Sequence, residues 1–328
     1  MTTIDCQAHW YPPGFLAHCA ERTRFPRATR EGDGFQFELA PDVFLPFKGE
    51  MVDLDALFAR MNADGVDVLV SSSEPLSVTT WDPGEAREAA RILNEAKSAA
   101  QERFPGRFVG LATLPMQDPE AAREELDHAI GKLGLAGVCI GSNINGSPIT
   151  SPELTPLYQR MDELGVPLFL HPTRSIARDK LPDYGLEYVI GYMFDTSVAA
   201  LNLIFSGTLD ECPDLTVVHP HLGATLPFLS GRIDFEYKTP WAGNEPMPMP
   251  PSEYMSTRFY TDTVSENPSA LRMAVEFYGI ERILFASDFP WWTAPPGLEL
   301  VRSTLDEAEL EMVLSKNAVR LLKLEGGS

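Results

Sequence analysis

Positive charge is scarce in this sequence. Lysine and arginine together number 26 against 47 aspartate and glutamate residues, which gives a formal net charge of −21 at pH 7. A surface of this sign repels the phosphate backbone of nucleic acids and anionic lipid headgroups. We therefore expect a small-molecule substrate, with neither nucleic acid nor a membrane as a partner.

Signals for export or membrane insertion are also missing. The N-terminus has no basic region followed by an apolar stretch, which is the pattern of a secretory signal peptide. No apolar run approaches the ~20 residues that a membrane-spanning helix requires. These absences lead us to expect a cytoplasmic protein.

Cysteine is rare and scattered. The four cysteines, Cys6, Cys19, Cys139 and Cys212, stand far apart, and no C-x-x-C pair occurs. This spacing predicts neither a disulfide framework nor a thiolate zinc site. We expect four buried, unreactive thiols.

What the sequence does contain is an alternation of short β-rich runs and amphipathic stretches, in 328 residues of which 44% are hydrophobic. Eight strands are predicted, at 3–7, 66–72, 107–114, 136–141, 166–171, 215–221, 259–264 and 282–287. Helical segments are predicted between and after them, near 53–64, 84–103, 119–133, 152–164, 197–211, 226–235, 268–278 and 304–322. This pattern predicts an α/β fold, a (β/α)₈ TIM barrel with loop insertions at the C-terminal mouth, in a single domain over residues 1–328.

An open, doubly wound sheet is the alternative fold. It is disfavoured because the first strand is not followed by the G-x-G-x-x-G turn that seats a dinucleotide. No linker that would separate two domains is visible in the sequence.

Three connections exceed ordinary loop lengths, at 10–50, 172–190 and 238–255. Long loops in compact domains are usually lids, binding loops or contact surfaces. The third contains the proline- and methionine-rich segment 246–251, which could cover a partner subunit or a neighbour's active site. We expect a homodimer or higher oligomer, with a hetero-oligomer as the alternative.

Polar residues stand at the ends of four predicted strands. The first strand supplies Gln7 and His9, and the fifth, sixth and eighth supply His171, His221 and Asp288. The C-terminal ends of parallel barrel strands meet at one mouth, and alternation places Gln7 and His9 on the same side of their strand. Imidazole, carboxylate and amide groups together can form a nitrogen and oxygen metal site that leaves room for water or substrate.

These residues belong to motifs that resemble the amidohydrolase-related decarboxylases, the group around aminocarboxymuconate semialdehyde decarboxylase. The group opens with I-D-x-H-x-H, where this chain has Ile4-Asp5-Cys6-Gln7-Ala8-His9. The other matching blocks are Leu114-Pro115-Met116-Gln117-Asp118-Pro119, His171-Pro172, His221-Leu222-Gly223-Ala224-Thr225-Leu226-Pro227, Gly231-Arg232-Ile233-Asp234 and Ser287-Asp288-Phe289-Pro290-Trp291. The resemblance runs from about residue 4 to residue 324.

The resemblance implies that His9, His171 and Asp288 bind a divalent metal and that His221 assists the chemistry beside it. Gln7 departs from the family pattern, because it places a neutral amide where the family has a histidine. Relatives with glutamate at this position use other divalent ions, so zinc, manganese and iron all stay open. The fourth strand ends without the lysine that bridges two metals in binuclear relatives, so one metal is expected.

Substrate-binding residues are predicted from charge and position. Arg232 stands where the family motif has an arginine near the substrate, and Arg174 and Arg178 lie in the loop after His171. The planar guanidinium of arginine suits a carboxylate. Trp291, with Trp292, follows Asp288 and is predicted to form an apolar wall at the mouth.

The function that the resemblance favours is non-oxidative decarboxylation of a small aromatic or conjugated carboxylic acid, a carboxy-lyase reaction. The metal would act as a Lewis acid, and His221 or protonated Asp288 would deliver a proton to the carbon that loses CO₂. Hydrolysis of an ester, lactone or amide is the direct alternative. A further alternative is a subunit of a hetero-oligomer, including an iron-dependent oxygenase.

Overall fold

The computed structural model describes residues 1–41, 43–74, 76, 78–239 and 246–324. Within these residues an eight-stranded parallel sheet forms, with the strands in the order β1-β5-β6-β7-β8-β9-β10-β11. Its strands are β1 (Ile4–His9), β5 (Val68–Ser72), β6 (Phe108–Ala112), β7 (Gly137–Gly141), β8 (Leu168–His171), β9 (Val217–His219), β10 (Phe259–Asp262) and β11 (Ile283–Leu284). All eight predicted strands are present, although most are shorter than predicted.

Hydrogen bonds between the last and first strand segments close the sheet into a barrel. The amide of Cys6 donates to the carbonyl of Phe285 at 2.9 Å, and the amide of Asp288 donates to the carbonyl of Gln7 at 2.8 Å. A parallel bridge joins Ala8 to Phe289 just beyond. The predicted (β/α)₈ TIM barrel is confirmed.

Helices surround the barrel. Their bounds are α1 (Pro13–Ala20), α2 (Leu54–Asp64), α3 (Pro83–Arg103), α4 (Pro119–Gly131), α5 (Thr155–Leu164), α6 (Tyr192–Phe205), α7 (Thr208–Glu211), α8 (Pro220–Gly223), α9 (Leu226–Tyr237), α10 (Pro251–Arg258), α11 (Pro268–Tyr278), α12 (Ala294–Thr304), α13 (Glu307–Glu311) and α14 (Asn317–Leu322). Several begin at polar caps: the Asp53 carboxylate accepts two backbone amides at the start of α2, which then ends at Gly65 in the left-handed region.

Apolar side chains form two layers around the barrel wall. Inward-facing residues such as Val70, Leu111 and Phe169 fill the barrel interior. Outward-facing residues such as Leu69, Ala112 and Leu170 pack against the helices. The strands are therefore buried on both sides, as expected of a parallel sheet that helices cover.

The predicted loop 10–50 is largely ordered secondary structure, which the sequence analysis did not anticipate. It contains helix α1 and an antiparallel three-stranded sheet made of β2 (Arg27–Glu31), β3 (Gly34–Ala40) and β4 (Val43–Phe47). We call this three-stranded sheet the insert sheet. It has its own apolar core, in which Phe37 and Phe47 pack with Tyr11 and Phe15.

Three further expectations can be compared with the structure. All four cysteines are free and buried, as predicted.

One helical stretch, Glu187–Phe205, has the length and composition of a membrane span, with a mean hydropathy of 1.4. Part of it is buried against the protein itself, and a core helix of a barrel satisfies the same two criteria. Of the predicted loop 238–255, residues 240–245 lie outside the described residues.

Candidate active site

A bulge in β1 directs two polar side chains to the mouth of the barrel. The pairing of β1 with β5 shifts between Asp5 and Ala8, so that two residues of β1 stand opposite one of β5. Before the shift, Ile4 and Cys6 face the barrel interior. After it, Gln7 and His9 both contact Asp288, as a shared strand face requires.

Neighbouring strands orient His9. Its Nδ1 lies 2.8 Å from Ser72 Oγ, and its Nε2 lies 2.9 Å from Asp288 Oδ1. The ring is completely buried, and this burial lowers the pKa of His9 to about 4. His9 is therefore neutral at pH 7, which is the form of imidazole that binds a metal.

His171 presents a free nitrogen to the same point. Its Nδ1 lies 2.7 Å from its neighbour's carbonyl oxygen, that of Pro172, so Nδ1 carries the proton and donates. The other nitrogen, Nε2, is buried and has no hydrogen-bond partner within the described residues. It lies 3.7 Å from Asp288 Oδ1. A buried lone pair without a partner is costly unless a cation or a ligand occupies the space before it.

Asp288 lies at the centre of this group. Its backbone has a φ of 56°, in the left-handed region that non-glycine residues seldom adopt, so its neighbours must hold it there. Burial alone would raise its pKa, but the three surrounding histidines hold the pKa of Asp288 well below its ordinary value. The carboxylate is therefore an anion and a hydrogen-bond acceptor.

His221 lies near the second carboxylate oxygen of Asp288, Oδ2, whereas His9 and His171 lie near Oδ1. The predicted strand 215–221 is shorter than expected, since β9 ends at His219 and His221 lies in the following turn, with a φ of 58°. Its backbone amide donates to Asp262 Oδ1 at 2.8 Å, which fixes the turn. Its Nε2 lies 3.8 Å from Asp288 Oδ2. Burial lowers the pKa of His221, but the Asp288 carboxylate outweighs this effect and leaves it raised.

The donor set fits a divalent cation. One ligand atom each of His9, His171 and Asp288 lies within 4.8 Å of the others, and all three residues are buried. Two neutral imidazoles and a carboxylate are a common ligand set for zinc, manganese and iron. Gln7, the residue that differs from the family pattern, also contacts this group, because its Nε2 lies 3.4 Å from Asp288 Oδ1.

A large cavity opens above these residues. Its volume is about 1070 Å³, and His171, His221 and Asp288 line its bottom. We call Gln7, His9, His171, His221 and Asp288 the floor. On one side the cavity is lined by the insert sheet, through Ala40 and three larger residues, Leu39, Val43 and Leu45, which we call the wall.

The predicted loop arginines and the predicted tryptophans line this cavity. Arg174 and Arg178 are present, and Arg178 pairs with Glu187 at 3.5 Å. No ion pair of Arg174 occurs within the described residues. Trp291 and Trp292 also line the cavity and are 41% and 44% exposed, so they lie at its rim rather than closing the barrel top.

Arg232 is not brought to the cavity. It lies on α9, its side chain is 72% exposed, and it forms an ion pair with Glu236 at 3.3 Å. Within one chain, the structure does not support the substrate contact expected for Arg232.

Several polar groups that support the floor were not predicted from the sequence. Ser72 orients His9, and Asp5 accepts hydrogen bonds from the amide and hydroxyl of Ser287, the residue before Asp288. Burial raises the pKa of Asp5 to about 7. Glu74, two residues after Ser72, is 4% exposed, and its Oε2 has no hydrogen-bond partner in the described part of the chain. These groups have no common position in the sequence, since Asp5 lies within β1, Ser72 ends β5 and Glu74 follows β5.

Comparison with known proteins gives a consistent set of relatives. A family model described as amidohydrolase matches residues 4–324. The 2-amino-3-carboxymuconate-6-semialdehyde decarboxylase of Dictyostelium discoideum is 32% identical over 83% of this chain and 77% of its own. The gamma-resorcylate decarboxylase of Rhizobium sp. (strain MTP-10005) is 29% identical over 93% of this chain and 97% of its own.

A solved structure agrees with these relatives. The dihydroxybenzoic acid decarboxylase of Polaromonas sp. JS666, determined with bound manganese and the inhibitor 2-nitroresorcinol, is 25% identical. It covers 98% of this chain and 97% of its own, with a TM-score of 0.82. The chain therefore belongs to the amidohydrolase family, and the three relatives described above are decarboxylases.

Proposed function

We propose that this protein is a metal-dependent, non-oxidative decarboxylase of an aromatic or conjugated carboxylic acid. The observation that carries the proposal is the convergence of two histidines, an aspartate and a third histidine at the bottom of a cavity that is large enough for such an acid. The named activities of the relatives support the reaction type.

His9, His171 and Asp288 would hold one divalent metal, and Gln7 would lie in or beside its coordination shell. Manganese in the Polaromonas structure supports a divalent ion, and zinc and iron suit the same donors. When bound, such an ion supplies Lewis-acid polarisation of the substrate carboxylate and of a neighbouring oxygen.

The protein groups would bind, orient and protonate the substrate. Arg174 attracts the carboxylate into an otherwise acidic protein, and Trp291 with the wall shields the ring from water. His221 supplies a proton to the ring carbon that carries the carboxylate. As the bond to CO₂ breaks, its electron pair stays with the ring, where it restores conjugation after the new C–H bond has formed. His221 then regains a proton from solvent.

His221 is preferred to Asp288 as the proton donor on geometry. Asp288 Oδ1 is approached by His9 Nε2 at 2.9 Å and by Gln7 Nε2 at 3.4 Å, so this oxygen already accepts. His221 lines the cavity, and within the described residues its Nδ1 has no hydrogen-bond partner. Its Nε2 faces Asp288 at 3.8 Å, so the carboxylate stabilises the protonated ring.

The proposal is tested by reconstituting the purified protein with zinc, manganese or iron and measuring CO₂ release from hydroxybenzoic and muconate-type acids. Conversion of at least one acid by a metal-loaded sample, absent after chelation, is the expected result. Esters, lactones and amides in the same screen test the hydrolytic alternative. Hydrolysis without any CO₂ release would overturn the proposal.

We also propose that the chain forms a homodimer or a larger assembly. Phe228 and Phe235 on α9 are 79% and 66% exposed, which is unusual for large apolar side chains in a monomer. The neighbouring segment 246–251 instead packs Met247 and Met249 against the chain's own core, so the proposal rests on α9. Light scattering at micromolar concentration should give at least twice the 36.3 kDa chain mass, and a monomer mass would contradict this proposal.

A further inference from the structure

The cavity above the floor is larger than a simple benzoic acid needs. Its volume is about 1070 Å³, whereas a cavity of about 150 Å³ is enough to bind benzene. Pockets of roughly 300–1,000 Å³ hold ligands of drug size. A small aromatic acid bound at the floor would therefore leave most of this cavity filled with water against apolar side chains.

One apolar face of the insert sheet passes from the protein core into the cavity. Phe35 pairs with Phe47, and Phe37 pairs with Leu45, so these residues lie on the same face of β3 and β4. At one end of that face, Phe37 and Phe47 are 1% and 0% exposed and belong to a packed core.

At the other end the same face is only partly covered, since Leu39 and Leu45 pack in part against that core. Leu39, Val43 and Leu45 are only partly buried, and they line the cavity. The opposite face of the strand points outward, since Phe44 is 50% exposed and does not line the cavity. The sheet thus presents to the cavity an apolar surface that continues its core.

Charge is confined to other parts of the cavity. Among the described lining residues, the charged side chains are Arg174, Arg178, Glu187 and Asp288, all from segments after barrel strands. The wall contributes none. Across from it, Tyr188 and Val189 also line the cavity, although they are 62% and 68% exposed. An occupant of this space gains by being apolar and uncharged.

We propose that the substrate is an aromatic acid with an extended apolar substituent, such as an alkyl chain of several carbons. Its carboxylate lies at the floor and its substituent lies along the wall, against Leu39, Val43 and Leu45. This inference rests on the proposed decarboxylase function for the orientation of the acid. It adds the chemical class of the substituent, which the floor alone does not specify.

The experiment uses the metal-loaded protein and a series of 2-hydroxybenzoic acids that carry hydrogen, methyl, propyl or pentyl at each free ring position. Calorimetry gives Kd, and CO₂ release gives kcat/KM. Each fully buried methylene group should tighten binding by about fourfold. We therefore expect the pentyl acid, at its best ring position, to bind at least about tenfold more tightly than the unsubstituted acid.

Two variants form a matched pair on β4. Val43→Asp puts a carboxylate on the cavity face, and Phe44→Asp puts the same carboxylate on the outward face of the next residue. Val43→Asp should raise the ratio of the pentyl Kd to the hydrogen Kd by at least about tenfold, which removes the preference for the long chain, whereas Phe44→Asp should leave the ratio unchanged. Circular dichroism checks that both variants fold, and the length series on the parent protein stands without them.

The outcomes separate the substrate class from the reaction. Affinity that does not rise with chain length at any ring position overturns the inference, even if the short acids are decarboxylated. An equal response of Val43→Asp and Phe44→Asp also overturns it. If affinity rises with length but no acid releases CO₂, the decarboxylase proposal fails while the apolar occupant of the wall stands.

Discussion

The floor and the wall of the cavity are built from different parts of the chain and held by different forces. Floor residues come from the ends of barrel strands, and hydrogen bonds such as that between His9 Nδ1 and Ser72 Oγ hold them in place. Wall residues come from the insert sheet, which is held by its antiparallel strand pairing and by packing on its own core. We therefore attribute the reaction to the ends of the barrel strands and the choice of substrate to the insert sheet.

The largest effect that tests this division is expected at His171. His171→Asn removes a buried nitrogen that points at the proposed metal position, so metal and turnover should be lost together. Elemental analysis of the purified variant and CO₂ release measure the two losses. His128→Asn is the control, because His128 lies on α4 and contributes nothing to the floor. Full metal content in His171→Asn would remove this residue from the ligand set.

The next effect separates two roles within the floor. His221→Asn keeps the approximate size of the side chain but cannot transfer a proton near neutral pH. We expect kcat to fall by about 10²- to 10⁴-fold, the usual contribution of a general acid, while metal content stays nearly intact. Unchanged turnover, or metal loss as complete as in His171→Asn, would contradict the assignment of His221 to proton transfer.

The floor was predictable from sequence because its signals are local. A polar residue directly after an apolar strand, as in His171 after Leu168–Leu170, is expected at the mouth of a barrel, because burial of an unpaired polar group in the apolar interior is costly. The family motifs then selected among such residues. Arg232 shows the limit of this logic, since a motif position does not show whether a side chain turns toward the cavity or, as in this chain, toward Glu236.

The wall was not predictable because its residues lie in a connection that reads as a long loop. The strands β2 to β4 are only five to seven residues long, and β2 contains a single apolar residue, Ala28, although β3 alternates Phe35, Phe37 and Leu39 with polar residues. Whether Leu39 faces a core or a cavity depends on how the insert sheet packs on the barrel, which is a long-range property. The position of His221 in a left-handed turn was missed for a similar reason, because it depends on the distant Asp262.

The boundary between core and wall within the insert sheet predicts unequal effects on stability. Phe47 is 0% exposed and packs on Tyr11 with a ring-centroid distance of 4.2 Å. Phe47→Ala should lower the free energy of unfolding by about 3–5 kcal/mol. Leu45→Ala, two residues earlier on the same face, should lower it by only about 1 kcal/mol because Leu45 is only partly packed. Urea unfolding followed by circular dichroism measures both, and equal losses would show that the wall is part of the core.

The smallest effect concerns Gln7, the residue at which the floor departs from the family pattern. Gln7 is 7% exposed, and its side chain reaches Asp288 Oδ1 at 3.4 Å, so it stands beside the proposed ligands. A neutral amide is a weaker zinc ligand than imidazole. Gln7→His should therefore tighten zinc binding, by about tenfold in Kd, as measured by competition with a chelator.

A matched control separates the position from the residue type. Gln159→His adds the same imidazole on α5, where the Gln159 amide contacts only the exposed Glu211, and zinc affinity at the floor should not change. If zinc binds more tightly to Gln7→His but not to Gln159→His, the amide of Gln7 weakens zinc binding in the parent. The floor would then suit a divalent ion other than zinc. Equal zinc affinity in the parent and in Gln7→His would mean that residue 7 only supports Asp288. The identity of the metal would then depend on His9, His171 and Asp288, which this chain shares with the pattern of its family.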